Sequence, residues 1–346
     1  MRRLDLLEQR RYDQAVRSSL AGEIYKRMKD SESVRYTIGA MQPIDPEYTK
    51  NTFAQGDRVK NQLQERLRTS AEFEYQGSVT TDTHIKAKSD IDLLVIRKGW
   101  IWLEPPQVPE SPYQGDPAAD MRQLRSESVT ALNAAFPQAS LDDSGSSALK
   151  LSGASLSRMV DVVPASWYDT NEYTRTKDKT YRGVKVFNKA TGEFIANTPF
   201  LHKARIETKD QATRGGFRKA ARLMKSLMYD SDGRLDMSSY NIVGIAYNIP
   251  DQQLLHPTPR ELAILEACFE FCTLLSFNAS LRDSLLVPDG SRKVFGDGQG
   301  AKVGQLTSLI KELSDLRQDV LNENVRSFKK LAEARVGYPL VTPTAW

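Results

Sequence analysis

The sequence predicts an α+β fold: a mixed-sheet lobe over residues 1–200 with helices at its beginning, a helical lobe over 201–336, and an extended tail over 337–346. Three observations carry this reading. Short strand-like runs stand between turn signals before residue 200, and apolar residues recur at three- and four-residue spacing after Pro199. The chain has 346 residues, 40% of them hydrophobic, enough to bury the cores of two lobes.

The first 30 residues are rich in Leu, Arg, Lys, Glu and Gln, and residues 45–70 carry Phe53, Val59, Leu63 and Leu67 at helical spacing. Both segments read as helices. The period then changes. Glu72-Phe73-Glu74-Tyr75 alternates, and residues 90–96 have the β-branched and apolar content of a buried strand. The proline-rich stretch 104–112 continues neither strand nor helix, and a helix is predicted from Ala118 to Ala135. Residues 147–151 and 158–163 read as two strands about a turn at Gly153-Ala154-Ser155, and 183–195 as a hairpin about residues 189–192. Residues 217–228, 259–277 and 303–336 read as helices. The tail 337–346 has two prolines and no charged side chain, so it is expected to be extended.

Charge and cysteine usage narrow the setting. Cys268 and Cys272, four apart in an apolar run, read as a buried thiol pair, since no second Cys/His pair lies near them. No secretory signal and no membrane-length apolar run is present, so a soluble cytoplasmic protein is expected. The net charge is only +4, yet residues 202–225 hold eight basic side chains against two acidic ones. Arg218, Arg222 and Lys225 fall at i, i+4 and i+7, which on a helix makes one basic stripe, expected to face nucleotide phosphates. His84 is expected to be a solvated loop residue, His202 and His256 show no partner pattern, and Trp100, Trp102 and Trp167 read as packing residues.

The most informative stretch runs from Gly77 to Asp92. On a strand, residues two apart share a face, so Asp90 and Asp92 project together while Ile91 and Leu93 point into the lobe. Two such carboxylates repel unless a cation lies between them, and hard oxygen ligands suit Mg²⁺ with substrate phosphates. Gly77-Ser78 supplies a close backbone approach, and a helix starting at Val79 would offer free amides to an anion. Asp161 is alone in the apolar strand Met159–Val163 and needs a partner, which a metal shared with Asp90 and Asp92 would provide.

This ordered set resembles the nucleotidyltransferase superfamily with the DNA polymerase β-like palm. Within it, the chain resembles the bacterial cGAS/DncV-like nucleotidyltransferases (CD-NTases), from about Asp45 to about Val336. The resemblance rests on Gln76-Gly77-Ser78 with Asp90 and Asp92, on residues 160–165, on the hairpin and Pro199, on Lys225 within 222–227, on Ser238-Ser239-Tyr240 and on residues 285–290. It implies a palm followed by the family's helical lobe. It implies that Asp90, Asp92 and Asp161 are catalytic and bind two Mg²⁺ ions, for which Mn²⁺ can substitute. Gly77 and Ser78 would hold the β- and γ-phosphates of the donor, Lys225 and Ser239 would reach them from the helical lobe, and Tyr240 would stack on a base. The implied activity joins nucleoside triphosphates, ATP or GTP foremost, into a cyclic di- or trinucleotide messenger with release of pyrophosphate, in bacterial anti-phage (CBASS) signalling. A downstream effector would read the product without stable contact.

Two other readings use the same residues. A palm of this kind also serves enzymes that act on RNA ends or on a small molecule, although the long helical lobe and modest charge argue against RNA tailing. A non-catalytic nucleotide sensor would keep the fold without turnover. Direct DNA sensing is disfavoured, because two cysteines cannot build the zinc cluster that helps animal relatives bind DNA.

Overall fold

The computed structural model describes residues 3–13, 24–231, 236–256 and 260–335. Four helices come first: α1 (Arg3–Arg11), α2 (Ile24–Arg27), α3 (Glu32–Met41) and α4 (Pro46–Arg66). α4 begins where its sequence provides a cap. The Asp45 carboxylate accepts from the Glu47 amide at 2.9 Å, and Pro46 in the first turn has no amide to leave unpaired.

The sheet lobe follows as β1 (Ala71–Gln76), β2 (Ile91–Leu103), α5 (Pro117–Ala135), β3 (Ser140–Asp142), β4 (Leu149–Gly153), β5 (Leu156–Asp169), α6 (Asn171–Thr176), β6 (Arg182–Phe187) and β7 (Phe194–Asn197). The strand order is β1-β2-β5-β4-β3, and β6 and β7 continue from the second half of β5. β2 and β5 are parallel and every other pair is antiparallel, so the sheet is mixed as expected. A parallel pair needs a crossover, and here α5, β3 and β4 form it.

Strand period separates the two faces of the sheet. Ile91, Leu93 and Val95 of β2 and Val160 and Val162 of β5 are buried against Val59 and Leu63 of α4 and Met121, Leu124 and Leu132 of α5. The intervening residues take the other face. There Leu94, Ile96, Val163, Ala165 and Trp167 form a smaller apolar cluster, which leaves Asp92 and Asp161 at one end of the same face.

The remaining helices are α7 (Pro199–Ala212), α8 (Gly216–Asp230), α9 (Ser239–Asn248), α10 (Asp251–Leu254), α11 (Ala263–Phe277), α12 (Ala279–Ser284) and α13 (Val303–Arg335). α8 runs through the centre of their core, with Phe217, Leu223, Met224 and Leu227 fully buried. Chain order suggests that the first helices belong with the sheet, but packing groups them differently. Leu4, Leu7, Tyr25, Tyr36 and Met41 of α1–α3 lie in the same apolar cluster as α8, α9, α11 and α13.

Cys268 and Cys272 are buried free thiols on α11, and burial raises both, Cys272 to about 12. Trp100 packs edge-on against Trp102 at 5.3 Å, as a packing residue should. β2 is longer than the sequence suggests, because it continues past a register break between Arg97 and Trp102, where Gly99 has φ +113°. The three-residue β3 gave no periodic signal. Among the described residues no helix is long and apolar enough to cross a membrane. Part of the predicted first helix, residues 14–23, and the tail 337–346 lie outside the described residues.

Candidate active site

The connection from β1 to β2 carries the predicted phosphate loop. Gly77 leaves the strand with φ +89°, a conformation that glycine adopts without steric cost. No helix starts at Val79, so the free amides that one would have offered are not available. The segment closes instead as a tight turn, with the Thr83 amide on the Ser78 carbonyl at 3.0 Å and the Asp82 amide on the Val79 carbonyl at 3.3 Å. Threonine hydroxyls compete for the same carbonyls, Thr80 on Gly77 at 2.8 Å and Thr81 on Ser78 at 3.2 Å, which favours a turn over helical bonding.

α8 fixes this turn from the helical side, and here the basic stripe finds its role. Arg218 Nε donates to the Thr81 carbonyl at 2.9 Å, Arg222 Nε to the Asp82 carbonyl at 3.1 Å, and Lys225 Nζ to the Thr83 carbonyl at 2.6 Å. Three cations at i, i+4 and i+7 therefore take three successive carbonyls. Arg218 also pairs with Asp210 and Glu207, and Arg222 pairs with Asp82 and donates to the Met41 carbonyl. The expectation that the whole stripe faces phosphates is thus corrected for Arg218 and Arg222, whose charge and donors are taken up by the protein. The local excess of positive charge is neutralised further by the pairs Lys209–Asp251 and Lys219–Glu261.

His84 corrects a second expectation. It is buried rather than solvated, its Nε2 lies 3.0 Å from the Thr49 hydroxyl, and burial with Lys225, Arg222 and Arg11 nearby pushes it down to about 3.

The three acids meet at the end of the sheet. Asp92 stands opposite Asp161 across the parallel β2–β5 pair, and Asp90 immediately precedes β2. Burial pushes Asp92 up to about 7, reinforced by Asp90 and then Asp161. Asp161 is pushed up to about 6 by burial and by Asp90, with Lys150 acting in the opposite direction. The Asp161 Oδ1 atom is buried without a hydrogen-bond partner. Among the described residues no three ligating side chains close into a compact metal-ligand cluster. An all-oxygen donor set that is self-repelling and includes an orphaned carboxylate oxygen nevertheless fits a hard divalent cation.

The acids are braced from below by residues near the end of α1. Arg158, three residues before Asp161, pairs with Asp13 at 2.6 Å, with both side chains fully buried. Lys88, two residues before Asp90, reaches the same carboxylate at 3.4 Å, and the Ala87 amide donates to the Arg10 carbonyl at 2.8 Å.

Gly77, Ser78, Asp90, Asp92, Lys225, Ser239 and Tyr240 all line one cavity of about 370 Å³. Every predicted site residue except Asp161 is on its wall, and Asp161 adjoins Asp92. A neighbouring cavity of about 580 Å³ shares Ser78, Asp90, Lys225 and Ser239, so the two meet at Asp90 and the turn after β1. Ser239 opens α9, whose cap is Ser238, the hydroxyl accepting from the Asn241 amide at 3.2 Å.

Among the wall residues that the sequence missed are His202 and Asn197. His202 stacks on Tyr240 with ring centroids 4.8 Å apart and planes at 16°, and burial pushes it down to about 4. Asn197 donates to the Gln76 side chain at 3.2 Å. Asn197 ends β7 and His202 lies in the first turn of α7, on either side of Pro199, which was the available signal. Burial and then the nearby Asp289 carboxylate raise the Tyr240 hydroxyl, and Asp289 accepts from the Thr198 hydroxyl at 2.8 Å, so residues 285–290 adjoin the ring.

With this geometry in place, comparison with known proteins is informative. Residues 204–318 match the family model of the cGAS/DncV-like nucleotidyltransferase C-terminal helical domain. The chain is 38% identical over 301 residues to the cyclic dinucleotide synthase CdnE of Yersinia aleksiciae, covering 86% of this chain and 79% of that one. It is 29% identical over 323 residues to a c-di-GMP synthase of Capnocytophaga granulosa, covering 87% and 90%. The solved structure of the STING-associated CdnE c-di-GMP synthase from Capnocytophaga granulosa superposes with a TM-score of 0.78 over 92% of this chain and 98% of that one, at 28% identity.

Proposed function

The chain belongs to the cGAS/DncV-like nucleotidyltransferases, and from that premise we propose that it joins two nucleoside triphosphates into a cyclic dinucleotide messenger, releasing pyrophosphate at each bond. The observation that carries this reading is the single cavity in which two carboxylates, a glycine-led turn and a buried lysine converge beside Asp161. An anti-phage role through an effector that reads the product accords with the relative described as STING-associated.

Asp90, Asp92 and Asp161 would hold two Mg²⁺ ions. When bound, these lower the pKa of the attacking ribose hydroxyl and neutralise charge on the α-phosphate and the leaving pyrophosphate. The chain's own groups do the positioning. Gly77 lets the β- and γ-phosphates approach the backbone, the Ser78 and Ser239 hydroxyls donate to them, and Lys225 places a cation beside them. Tyr240, stacked on His202 with the Arg292 guanidinium 5.0 Å from its ring centroid, would take a base on its ring where Arg292 moves aside.

Incubation with labelled nucleoside triphosphates and Mg²⁺ tests the proposal. A phosphatase-resistant product with the mass of a cyclic dinucleotide is expected, and mass spectrometry with all four triphosphates identifies its bases. Linear tails alone, or transfer only to an added RNA, would overturn it.

Lys225 gives this site a pH signature. Burial pushes its ammonium down to about 8, with Arg222 and Lys86 adding to the effect and Asp90 opposing it. Because the lowered group loses its charge as pH rises through 8, triphosphate KM is expected to rise about tenfold between pH 7 and pH 9. In Lys225→Arg, whose guanidinium stays charged, that rise should disappear. A wild-type KM that stays level across this range would remove Lys225 from the phosphate site.

A further inference from the structure

The register of the sheet sets out one polar row across five strands. Gln76 of β1 stands opposite Asp92 of β2, Asp92 opposite Asp161 of β5, Asp161 opposite Lys150 of β4, and Lys150 opposite Asp142 of β3. Directly paired residues point to the same face, so the Lys150 side chain rises beside Asp161 on the side away from Asp92. Its neighbours Leu149 and Leu151 are buried in the core beneath, while Lys150 is exposed.

Lys150 differs from the cations of α8, from Arg158 and from Lys86, which lines the neighbouring cavity with its ammonium over the Tyr229 ring at 4.0 Å. Arg218, Arg222 and Lys225 are bound to the carbonyls of residues 81–83, and Arg158 is paired with buried Asp13. Among the described residues Lys150 makes neither a side-chain hydrogen bond nor an ion pair. Its charge is felt by Asp161 and Asp142, but no hydrogen bond or ion pair has to break for its ammonium to meet a ligand.

Resting on the proposed function, we infer that Lys150 binds a phosphate of the acceptor nucleotide, the one whose ribose hydroxyl attacks. In a phosphoryl transfer the attacking and leaving oxygens lie roughly in line on opposite sides of the phosphorus. The new bond runs from the acceptor hydroxyl oxygen to the donor α-phosphorus. The bond to the β-phosphate oxygen breaks, pyrophosphate leaves, and the hydroxyl proton passes to solvent. Gly77 and Ser78 follow β1 and mark the end of the row from which pyrophosphate leaves. The acceptor therefore approaches from the β4 and β3 end, where Lys150 is the cation in the row.

The alternative is that Lys150 only balances the carboxylates of Asp161 and Asp142. The two roles differ in which acceptor feels the loss. Full-length wild type, Lys150→Met and Lys150→Arg are compared in Mg²⁺ with one radiolabelled donor triphosphate and two acceptors, a nucleoside triphosphate and the same nucleoside without phosphate. The inference expects Lys150→Met to raise KM for the triphosphate acceptor about 10- to 100-fold, the range of a charge-assisted contact, with kcat little changed. The phosphate-free acceptor should be used as well as by wild type, and Lys150→Arg should recover most of the loss. Equal losses with both acceptors, or a shift confined to Mg²⁺ dependence, would overturn the inference while leaving the proposed function intact. A wild type that joins no nucleotides would overturn both.

Discussion

Asp92→Asn is expected to abolish nucleotide transfer, by at least about 10³-fold, and at the same time to make the metal-free protein more stable at pH 8. On the proposed function, the activity loss follows from removing one of the carboxylates that would hold Mg²⁺ at the reacting phosphorus, a contribution of several kcal/mol. The stability gain follows from the state of the carboxylate. Burial, Asp90 and Asp161 hold Asp92 near 7, so at pH 8 the folded chain contains a carboxylate that would be more comfortable in water.

Its folded proton affinity exceeds its unfolded one, so the metal-free fold binds extra protons between about pH 4 and pH 7 and loses stability as pH rises through that window. At about 1.4 kcal/mol for each tenfold change in proton affinity, the cost is on the order of a few kcal/mol. Thermal melts of metal-free protein should therefore show Asp92→Asn above wild type at pH 8 and the gap closing by pH 4, and Mg²⁺ should stabilise only wild type. A variant that is less stable than wild type at pH 8 without metal would contradict the electrostatic account, whatever its activity.

Gly77→Ala is the second large effect. A Cβ on this glycine would stand 2.2 Å from Asp92 Oδ2, and at φ +89° any side chain is strained. The backbone term costs about 1–2 kcal/mol, while pushing the Asp92 carboxylate aside by about 1 Å should lower turnover on the order of 10²-fold. Gly153 supplies the control. It has φ +83° in the β4–β5 turn, but nothing lies within 4 Å of its added Cβ, so Gly153→Ala should lose similar stability and keep its turnover. Comparable turnover in the two variants would show that Gly77 is required for turn geometry alone.

The parts of this site visible in the sequence are those that depend on local rules. Asp90, Asp92 and Asp161 could be read because strand period fixes which side chains share a face and because a carboxylate in an apolar strand demands an explanation. Gly77 was legible for the same reason, as a glycine at the end of a strand. Ser78 was read with Gly77 and Lys225 as the end of the basic stripe, whereas Ser239 and Tyr240 came from resemblance alone, and the cavity brings all four to the same wall.

What was not legible depends on contacts between distant segments. The charge of Arg218 and Arg222 was visible, but their partners include backbone carbonyls more than 100 residues away, which no charge count reveals. His84 looked solvated because its neighbours are polar, yet Thr49 and the cations of α8 enclose it. The composition of the first 30 residues marked a helix but not what it packs against, and chain order placed it with the sheet, whereas Leu4, Leu7 and Tyr25 pack with the later helices.

The parallel pairing of β2 and β5 has a consequence for the order in which competence is acquired. Asp92 and Asp161 come into register only after about 70 residues of chain have crossed over between them. Closing so long a connection is entropically costly, and non-local parallel pairing is among the slower steps a domain takes. A nascent chain, or one whose sheet has opened, holds these aspartates apart as ordinary solvated acids. The ability to make a signal therefore arrives in one step with the completed sheet, and a half-folded molecule cannot raise a false alarm.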